Sequence, residues 1–482
     1  MILYVILVFV AILIGMAVSV FAFGTGGKRS RIFRDIYFTV EEVEGIGVLY
    51  TKNGDYSAVL AMENPVQKYS ANIDAYYEFT SLFTSLAQTL GEGYAMHKQD
   101  IFSRRRFRND GVAGREFLSD SYFRYFEGRE YTDSLTYLVI TQESRGGRFF
   151  SYDARKWRDF MLKIRKVRDQ LKDAGIACRF LGKREACDYV DRYYSLDFTS
   201  GVVSMTGRKV DAEGIRMGDR RCRFYSLVDV DSVALPSLIR PFTSIEVNNS
   251  SMPVDLVGAV DSIPESLTVV YNQVVFMPGQ KKELASLDKK KNRHSSIPSP
   301  ANQMAVEDIK KVQEVIAREG KQLVYCHFNI GVVTDRDTDI HKCTNYIENA
   351  FGRQGIHISK RAYNQLELFV NSFPGNCYSL SPEYDRFLTL GDAAACLMYK
   401  ERIQKSEDTP LKIWYTDRQG VPVAIDISGK EGKEKITDNS NFFCLGPSGT
   451  GKSFHMQDKE SKRSRKARKS LSVNCIVSID SS

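Results

Sequence analysis

One short segment near the carboxyl end constrains the fold of this chain more than any other. It begins with the apolar run at residues 441–445 (NFFCL) and continues directly into the pattern G-x-x-x-x-G-K-S. The residues of that pattern are Gly446, Pro447, Ser448, Gly449, Thr450, Gly451, Lys452 and Ser453. An apolar strand followed by such a loop is the context in which the loop binds phosphate and begins a helix. The segment therefore predicts the start of an α/β nucleotide-binding domain.

Each residue type in this loop has a chemical role. Gly446, Gly449 and Gly451 let the backbone curl so that its N–H groups face phosphate oxygens. Lys452 is placed to reach the β- and γ-phosphates, and Ser453 supplies a hydroxyl to the Mg²⁺ that the nucleotide carries. A glycine-rich turn with an exposed lysine is the alternative interpretation.

The amino-terminal residues 1–24 contain no charged side chain. At about 1.5 Å rise per residue, such a run crosses a hydrocarbon layer about 30 Å thick. Four cations follow at once, namely Lys28, Arg29, Arg31 and Arg34. By the positive-inside rule they place the remaining chain in the cytoplasm, which predicts one transmembrane helix. The alternatives are a signal peptide cleaved after Ala22, which lacks a preceding basic residue, and a buried core helix.

The composition limits the class of protein. The chain has 482 residues, of which 43% are hydrophobic and 26% are charged. This excludes a disordered, collagenous or multi-span membrane protein and predicts two or three domains. The net charge of +8 permits attraction to nucleic acid but supports it only weakly. Nine cysteines without a C-x-x-C pair argue against structural zinc and a disulfide framework.

The body of the chain alternates strand and helix patterns. A hairpin is predicted at residues 46–62, turning at Asn53-Gly54, and a helix capped by Asp74 follows. Further strands and helices predict an α+β domain over residues 25–200. Residues 201–430 form a middle α/β region, whose lysine- and proline-rich part near 278–303 predicts a flexible lobe.

Two features of the first domain are candidates for chemical sites. The basic cluster at residues 103–108 (SRRRFR) is typical of a solvated loop, and the alternative is a contact for phosphate or an acidic partner. His97 lies in a strand pattern with no nucleophile nearby in sequence. A surface or hydrogen-bonded histidine is therefore favoured over a catalytic base.

Three stretches carry a resemblance to a known family: His97-Lys98-Gln99-Asp100, Tyr325-Cys326-His327-Phe328 and residues 441–453. Over roughly residues 35–456 the chain resembles the TraG-type conjugative transfer ATPases, the motor ATPase family of type IV secretion. The resemblance implies an amino-terminal domain that contacts channel proteins and a RecA-like ATPase domain that forms hexamers. It also implies ATP and Mg²⁺ as cofactors and a place at the inner membrane. Only Gly446, Gly451, Lys452 and Ser453, with the loop between them, are carried over as nucleotide-binding positions.

The chain departs from this pattern after the loop. Residues 431–456 are expected to start the P-loop ATPase domain, whereas residues 457–482 form a basic, atypical tail. In residues 457–470 (QDKESKRSRKARKS) only Ala467 is apolar, although a helix after the loop should bury an apolar face against its sheet. A later acidic residue for Mg²⁺ is also lacking, since the acid of residues 476–480 (IVSID) follows the loop too closely. A truncation or shifted reading frame after Met456 is therefore expected.

Two functions follow from these patterns. The first is an ATP-hydrolysing subunit that powers transfer of DNA or protein across the envelope, incomplete as a catalyst in this chain. The second is a non-catalytic, membrane-anchored module that docks on channel proteins. Whether the chain is an enzyme stays open at this point, and no catalytic residue is assigned.

Overall fold

The protein is described by a computed structural model that divides into two compact units. The first unit comprises Met1–Arg104 and Asp133–Arg402, and the second comprises Arg105–Thr132 and Ile403–Ser482. The structure describes residues 36–70, 72–108, 124–144, 153–199, 208–211, 214–227, 235–236, 238–247, 250–297, 299–359, 364–402, 413–416, 422–425 and 448–449.

A large antiparallel sheet forms the framework. It has 12 strands in the order β1-β2-β3-β6-β5-β13-β14-β10-β9-β8, with β15 paired to β14 and β7 paired to β3. These strands are β1 (Tyr37–Val43), β2 (Ile46–Thr51), β3 (Tyr56–Met62), β5 (Tyr94–Arg106), β6 (Glu130–Gln142), β7 (Cys178–Phe180), β8 (Arg208–Asp211), β9 (Gly214–Met217), β10 (Arg220–Ser226), β13 (Thr268–Met277), β14 (Leu323–Thr334) and β15 (Phe387–Leu390). Strands from before and after residue 200 thus share one sheet.

Three further strand pairs lie outside this sheet. Strands β4 (Val66–Gln67) and β16 (Glu401–Arg402) pair in parallel. The other two pairs are antiparallel: β11 (Phe242–Val247) with β12 (Ser250–Asp255), and β17 (Ile413–Thr416) with β18 (Pro422–Ile425).

Helices cover both faces of the large sheet. They are α1 (Asp74–Leu90), α2 (Ala154–Asp173), α3 (Lys183–Ser195), α4 (Gln280–Ser295), α5 (Pro300–Glu319), α6 (Asp337–Gly352), α7 (Gln365–Asn371) and α8 (Gly391–Cys396). Side chains of α1, α2, α6 and α8 join the core on one face, and those of α3 and α7 join the core on the other. Strand β13 is buried at every position, because an element covered on both faces has no side open to water.

Two sequence predictions of local structure are confirmed, namely the hairpin and the helix that follows it. The hairpin at residues 46–62 is formed by β2 and β3, and Gly54 in its turn has φ +91°. Helix α2 is capped by Asp153, whose carboxylate accepts hydrogen bonds from the backbone of Arg155 and Lys156. The cap predicted at Asp74 is wrong: Ile73 is the N-cap of α1 and makes no side-chain cap hydrogen bond. The backbone N–H of Ala75 instead donates to Asn72 Oδ1 at 3.3 Å.

Residues 278–303, the predicted flexible lobe, contain α4 and the start of α5. The two helices are joined by side chains, since Lys291 Nζ donates to Gln313 Oε1 at 2.9 Å and Gln313 Nε2 donates to Asp288 Oδ1 at 2.9 Å. The structure is a mixed α/β fold with a large antiparallel sheet, and the predicted start of a RecA-like domain lies mostly outside the described residues. The domain boundaries near residues 200 and 430 stay predictions.

No helix in the described ranges is both long enough and apolar enough to cross a membrane. The transmembrane helix predicted at residues 1–24 lies outside those ranges.

Candidate functional site

The predicted phosphate loop is described at two of its positions. Ser448 and Gly449 form an exposed turn. Gly449 has φ +79°, a conformation that favours glycine, and no atom lies within 4 Å of the position that a Cβ would occupy. Its glycine is therefore required by backbone conformation rather than by close packing. The remaining loop positions lie outside the described residues: Gly446, Pro447, Thr450, Gly451, Lys452 and Ser453.

A small hairpin precedes the loop in the same unit. Strands β17 and β18 pair with Ile413 opposite Ile425 and Thr416 opposite Pro422. In β18, Val423 is 2% exposed and Ala424 is fully buried. The hairpin was not predicted from sequence, because residues 413–425 lack a typical two-residue turn signal.

Comparison with known families identifies the segment around the loop. Residues 412–473 match the TraG P-loop domain. The chain carries a TraG P-loop domain. The resemblance to TraG-type conjugative transfer ATPases is confirmed by this match, and with it the general assignment to nucleotide-binding proteins associated with conjugation. The match to the TraG P-loop domain continues past Met456 to residue 473. It therefore includes part of the basic segment that begins at residue 457. A comparison with curated proteins found no match.

The other stretches of the resemblance lie in the large sheet. Residues His97 to Asp100 belong to β5, and Tyr325 to Phe328 belong to β14. Strand β13 lies between them, with Gln99 opposite Asn272 and Asn272 opposite Asn329. Successive residues of a strand point to opposite faces. The polar side chains of β5 therefore form two separate buried clusters, one on each face of the sheet.

The first of these, the amide cluster, consists of His97, Gln99, Asn272, His327, Asn329 and Ser372. Asn272 Nδ2 donates to Asn329 Oδ1 at 2.7 Å, and Asn329 Nδ2 donates to Ser372 Oγ at 2.9 Å. His97 is fully buried, and burial lowers its pKa to about 4. It is neutral at physiological pH and touches no nucleophile that the structure describes, so a structural role is favoured over that of a catalytic base.

The second cluster, the lysine–carboxylate cluster, contains three buried ion pairs. In each pair a lysine ammonium contacts a carboxylate, and every side chain is at most 9% exposed. The pairs are Lys98–Asp100, Lys400–Asp255 and Lys68–Asp261. They are linked through Gln273 and Tyr399: Gln273 Nε2 donates to Asp100 Oδ2 at 2.6 Å, and Tyr399 OH donates to Asp261 Oδ2 at 2.7 Å.

Glu401 completes this cluster without an ion pair among the described residues. Its Oε1 accepts hydrogen bonds from Tyr76 OH at 2.6 Å and from the backbone N–H of Asp255 at 2.7 Å. Its Oε2 is buried and has no hydrogen-bond partner. Burial, reinforced by the negative charge of Asp255, raises the pKa of Glu401 to about 7. Nothing in the sequence around Glu401 signalled this environment, because its neighbours come from distant segments.

The raised pKa of Glu401 predicts a pH-dependent stability. The folded state holds the proton up to about pH 7, whereas an unfolded glutamate loses it near pH 4.3, so stability falls as pH rises between these values. The charged or titratable groups facing Glu401 are Asp255, Lys68 and Tyr76. Between pH 5 and pH 8 the wild type should lose about 2.5 kcal/mol more unfolding free energy than Glu401→Gln. Urea unfolding across this range measures the difference, with Glu314→Gln as an exposed control. Parallel profiles for wild type and Glu401→Gln would contradict the shift.

The basic cluster at residues 103–108 begins in β5 and extends two residues beyond the end of that strand at Arg106. Arg106 is exposed, and its Nη2 lies 3.1 Å from Glu130 Oε1. This agrees with the solvated interpretation of that side chain.

Proposed function

We propose that this protein is an ATPase of a conjugative transfer apparatus, which binds ATP with Mg²⁺ to power transfer of DNA or protein across the cell envelope. The observation that carries the proposal is the match of residues 412–473 to the TraG P-loop domain. That segment contains the complete G-x-x-x-x-G-K-S pattern. The positive φ of Gly449 supports it, because a loop that curls its N–H groups around phosphate needs such a conformation.

Within the loop, the roles follow from side-chain chemistry. Backbone N–H groups from Gly446 to Gly451 would hold phosphate oxygens, and Lys452 would bind the β- and γ-phosphates. Ser453 would hold the Mg²⁺ that accompanies the nucleotide, and the metal would neutralise charge that develops on the phosphates. The partners proposed with this role are type IV secretion channel proteins, the inner membrane and further copies of the chain in a hexamer. Binding of nucleic acid has only the basic bias to support it.

A second candidate is a docking module that binds channel proteins without hydrolysing ATP. The composition of residues 457–470 favours it, because a single apolar residue, Ala467, offers little surface for packing against a nucleotide-binding sheet. In this case the large sheet of the first unit would supply the function.

Complementation of conjugation separates the two candidates. A donor strain lacking this chain is supplied with the wild type or with Lys452→Ala, and transfer frequency is measured at equal protein levels. Restoration by the wild type but not by Lys452→Ala supports the ATPase. Equal restoration by both supports the docking module and overturns the ATPase proposal for this chain.

Extraction with alkaline carbonate tests the membrane location, since release of the chain would count against an inserted helix.

A further inference from the structure

A pocket in the first unit lies beside the lysine–carboxylate cluster. Its volume is about 300 Å³. Its wall is formed by the β11–β12 hairpin, the 3₁₀ helix at Gly258–Ser262 and the end of α6. The apolar part of the wall comes from Ile245, Val254, Leu256 and Phe351. Glu401 and Lys68 lie in the polar part. The pocket thus combines an apolar wall with a small number of buried charges, as ligand sites commonly do.

The charges of the lysine–carboxylate cluster, which the pocket adjoins at Lys68, Asp255 and Glu401, do not balance. Asp100, Asp255 and Asp261 each contact a lysine ammonium, at no more than 3.1 Å. Glu401 is the fourth acid and has no such partner among the described residues. The ammonium of Lys68, which also lies in the wall, is already engaged by Asp261 at 2.5 Å. One negative charge therefore remains unmatched when Glu401 is ionised.

The oxygen atom of Glu401 that lacks a hydrogen-bond donor is Oε2. Glu401 is 1% exposed, and its Oε1 is occupied by two donors while its Oε2 has none. Burying a carboxylate oxygen without a hydrogen-bond donor costs free energy. Binding of a group that donates to this oxygen is therefore favourable. Gly258 lies over this oxygen, and a Cβ at that position would come within 3.8 Å of Oε2. The absence of a side chain at residue 258 leaves the approach from the pocket less obstructed.

We propose that this pocket binds a single alkylammonium or alkylguanidinium group, with the cation on Glu401 Oε2 and its aliphatic stem along the apolar wall. A cation is favoured over a neutral donor because each of the other three carboxylates contacts a lysine side-chain nitrogen. The volume accommodates a group the size of a lysine or arginine side chain. The exposed Arg353 in the wall disfavours a second positive charge on the ligand. All residues of this pocket belong to the first unit.

The test uses the purified full chain and small probes. n-Butylammonium and n-butylguanidinium are titrated by NMR saturation transfer, with n-butanol as the neutral counterpart. We expect dissociation constants of about 1 mM for the cations, as befits ligands of so few atoms, and at least tenfold weaker binding of n-butanol. Glu401→Gln should weaken the cations about tenfold or more, whereas the exposed Glu314→Gln should leave them unchanged.

A second variant tests the site without changing Glu401, in case Glu401→Gln impairs folding. Gly258→Ala places a methyl group at ordinary contact distance, 3.5 Å from Asp255 Cβ and 3.8 Å from Glu401 Oε2. It should fold and bind the cations several-fold more weakly.

The tripeptide acetyl-Gly-Arg-Gly-amide distinguishes the source of the cation. Tighter binding than n-butylguanidinium indicates a basic side chain of a partner, and weaker binding indicates a free small molecule. Equal affinity for cations and n-butanol, or unchanged cation affinity in folded Glu401→Gln, would overturn the proposal.

Discussion

Replacing Asp100 with alanine is expected to lower the free energy of unfolding of the large sheet by about 3–5 kcal/mol. Asp100 Oδ1 accepts hydrogen bonds from Asn64 Nδ2 at 2.9 Å and from Thr136 Oγ1 at 2.7 Å. Its Oδ2 accepts from Gln273 Nε2 and from the fully buried ammonium of Lys98. Removing the carboxylate takes one acceptor from each of these donors, although Asn64, Gln273 and Lys98 each keep a second acceptor. It also leaves one uncompensated positive charge in the core, where burial already lowers the pKa of Lys98.

Hydrogen exchange of the β13 backbone measures this loss, because β13 pairs with β5 at the centre of the sheet. The matched control is Asp188→Ala, which removes an exposed carboxylate 2.7 Å from Arg192 and should change stability by less than about 1 kcal/mol. A double variant, Lys98→Met with Asp100→Leu, should recover much of the loss because it removes both charges. Equal protection in wild type and Asp100→Ala would show that the cluster contributes little to the sheet.

Replacing Lys452 with alanine is expected to reduce ATP hydrolysis by the purified chain by a factor on the order of 10²–10³, the effect of removing one preorganised donor from a developing negative charge. Lys452 is the lysine of the G-K-S part of the loop, which reaches the β- and γ-phosphates in proteins of this type. Steady-state phosphate release with saturating ATP and Mg²⁺ measures the change.

Lys459→Ala provides the matched control, since it removes the same charge a few residues beyond the motif. Its activity should remain within about twofold of the wild type, because Lys459 is not part of the G-x-x-x-x-G-K-S pattern. If Lys452→Ala retained the activity of the wild type, that activity would not come from this loop.

Local features of the fold could be predicted from sequence. The alternation of apolar residues with the Asn53-Gly54 turn predicts the β2–β3 hairpin, and helical spacing predicts α1. The nucleotide loop could likewise be predicted because its residues are contiguous. Their spacing alone specifies the chemistry, and the match of residues 412–473 agrees with it.

The buried clusters could not be predicted, because their members meet only through long-range pairing. Asp255 and Lys400 are separated by 145 positions, and Asp100 and Gln273 by 173. Strand order decides which polar residues become neighbours, and local patterns carry no information about strand order. The cap of α1 was missed for a more local reason: Ile73 itself has helical dihedral angles, so the helix begins without an aspartate cap.

Binding of nucleotide by the TraG P-loop domain is tested most directly by isothermal titration of the full chain with a non-hydrolysable ATP analogue and Mg²⁺. We expect saturable binding to the wild type, at least about tenfold weaker binding to Lys452→Ala, and weaker binding when EDTA removes the metal, because charge-assisted contacts hold the phosphates. Equal affinity of the wild type and Lys452→Ala, or no binding by a folded wild type, would contradict nucleotide binding by this loop.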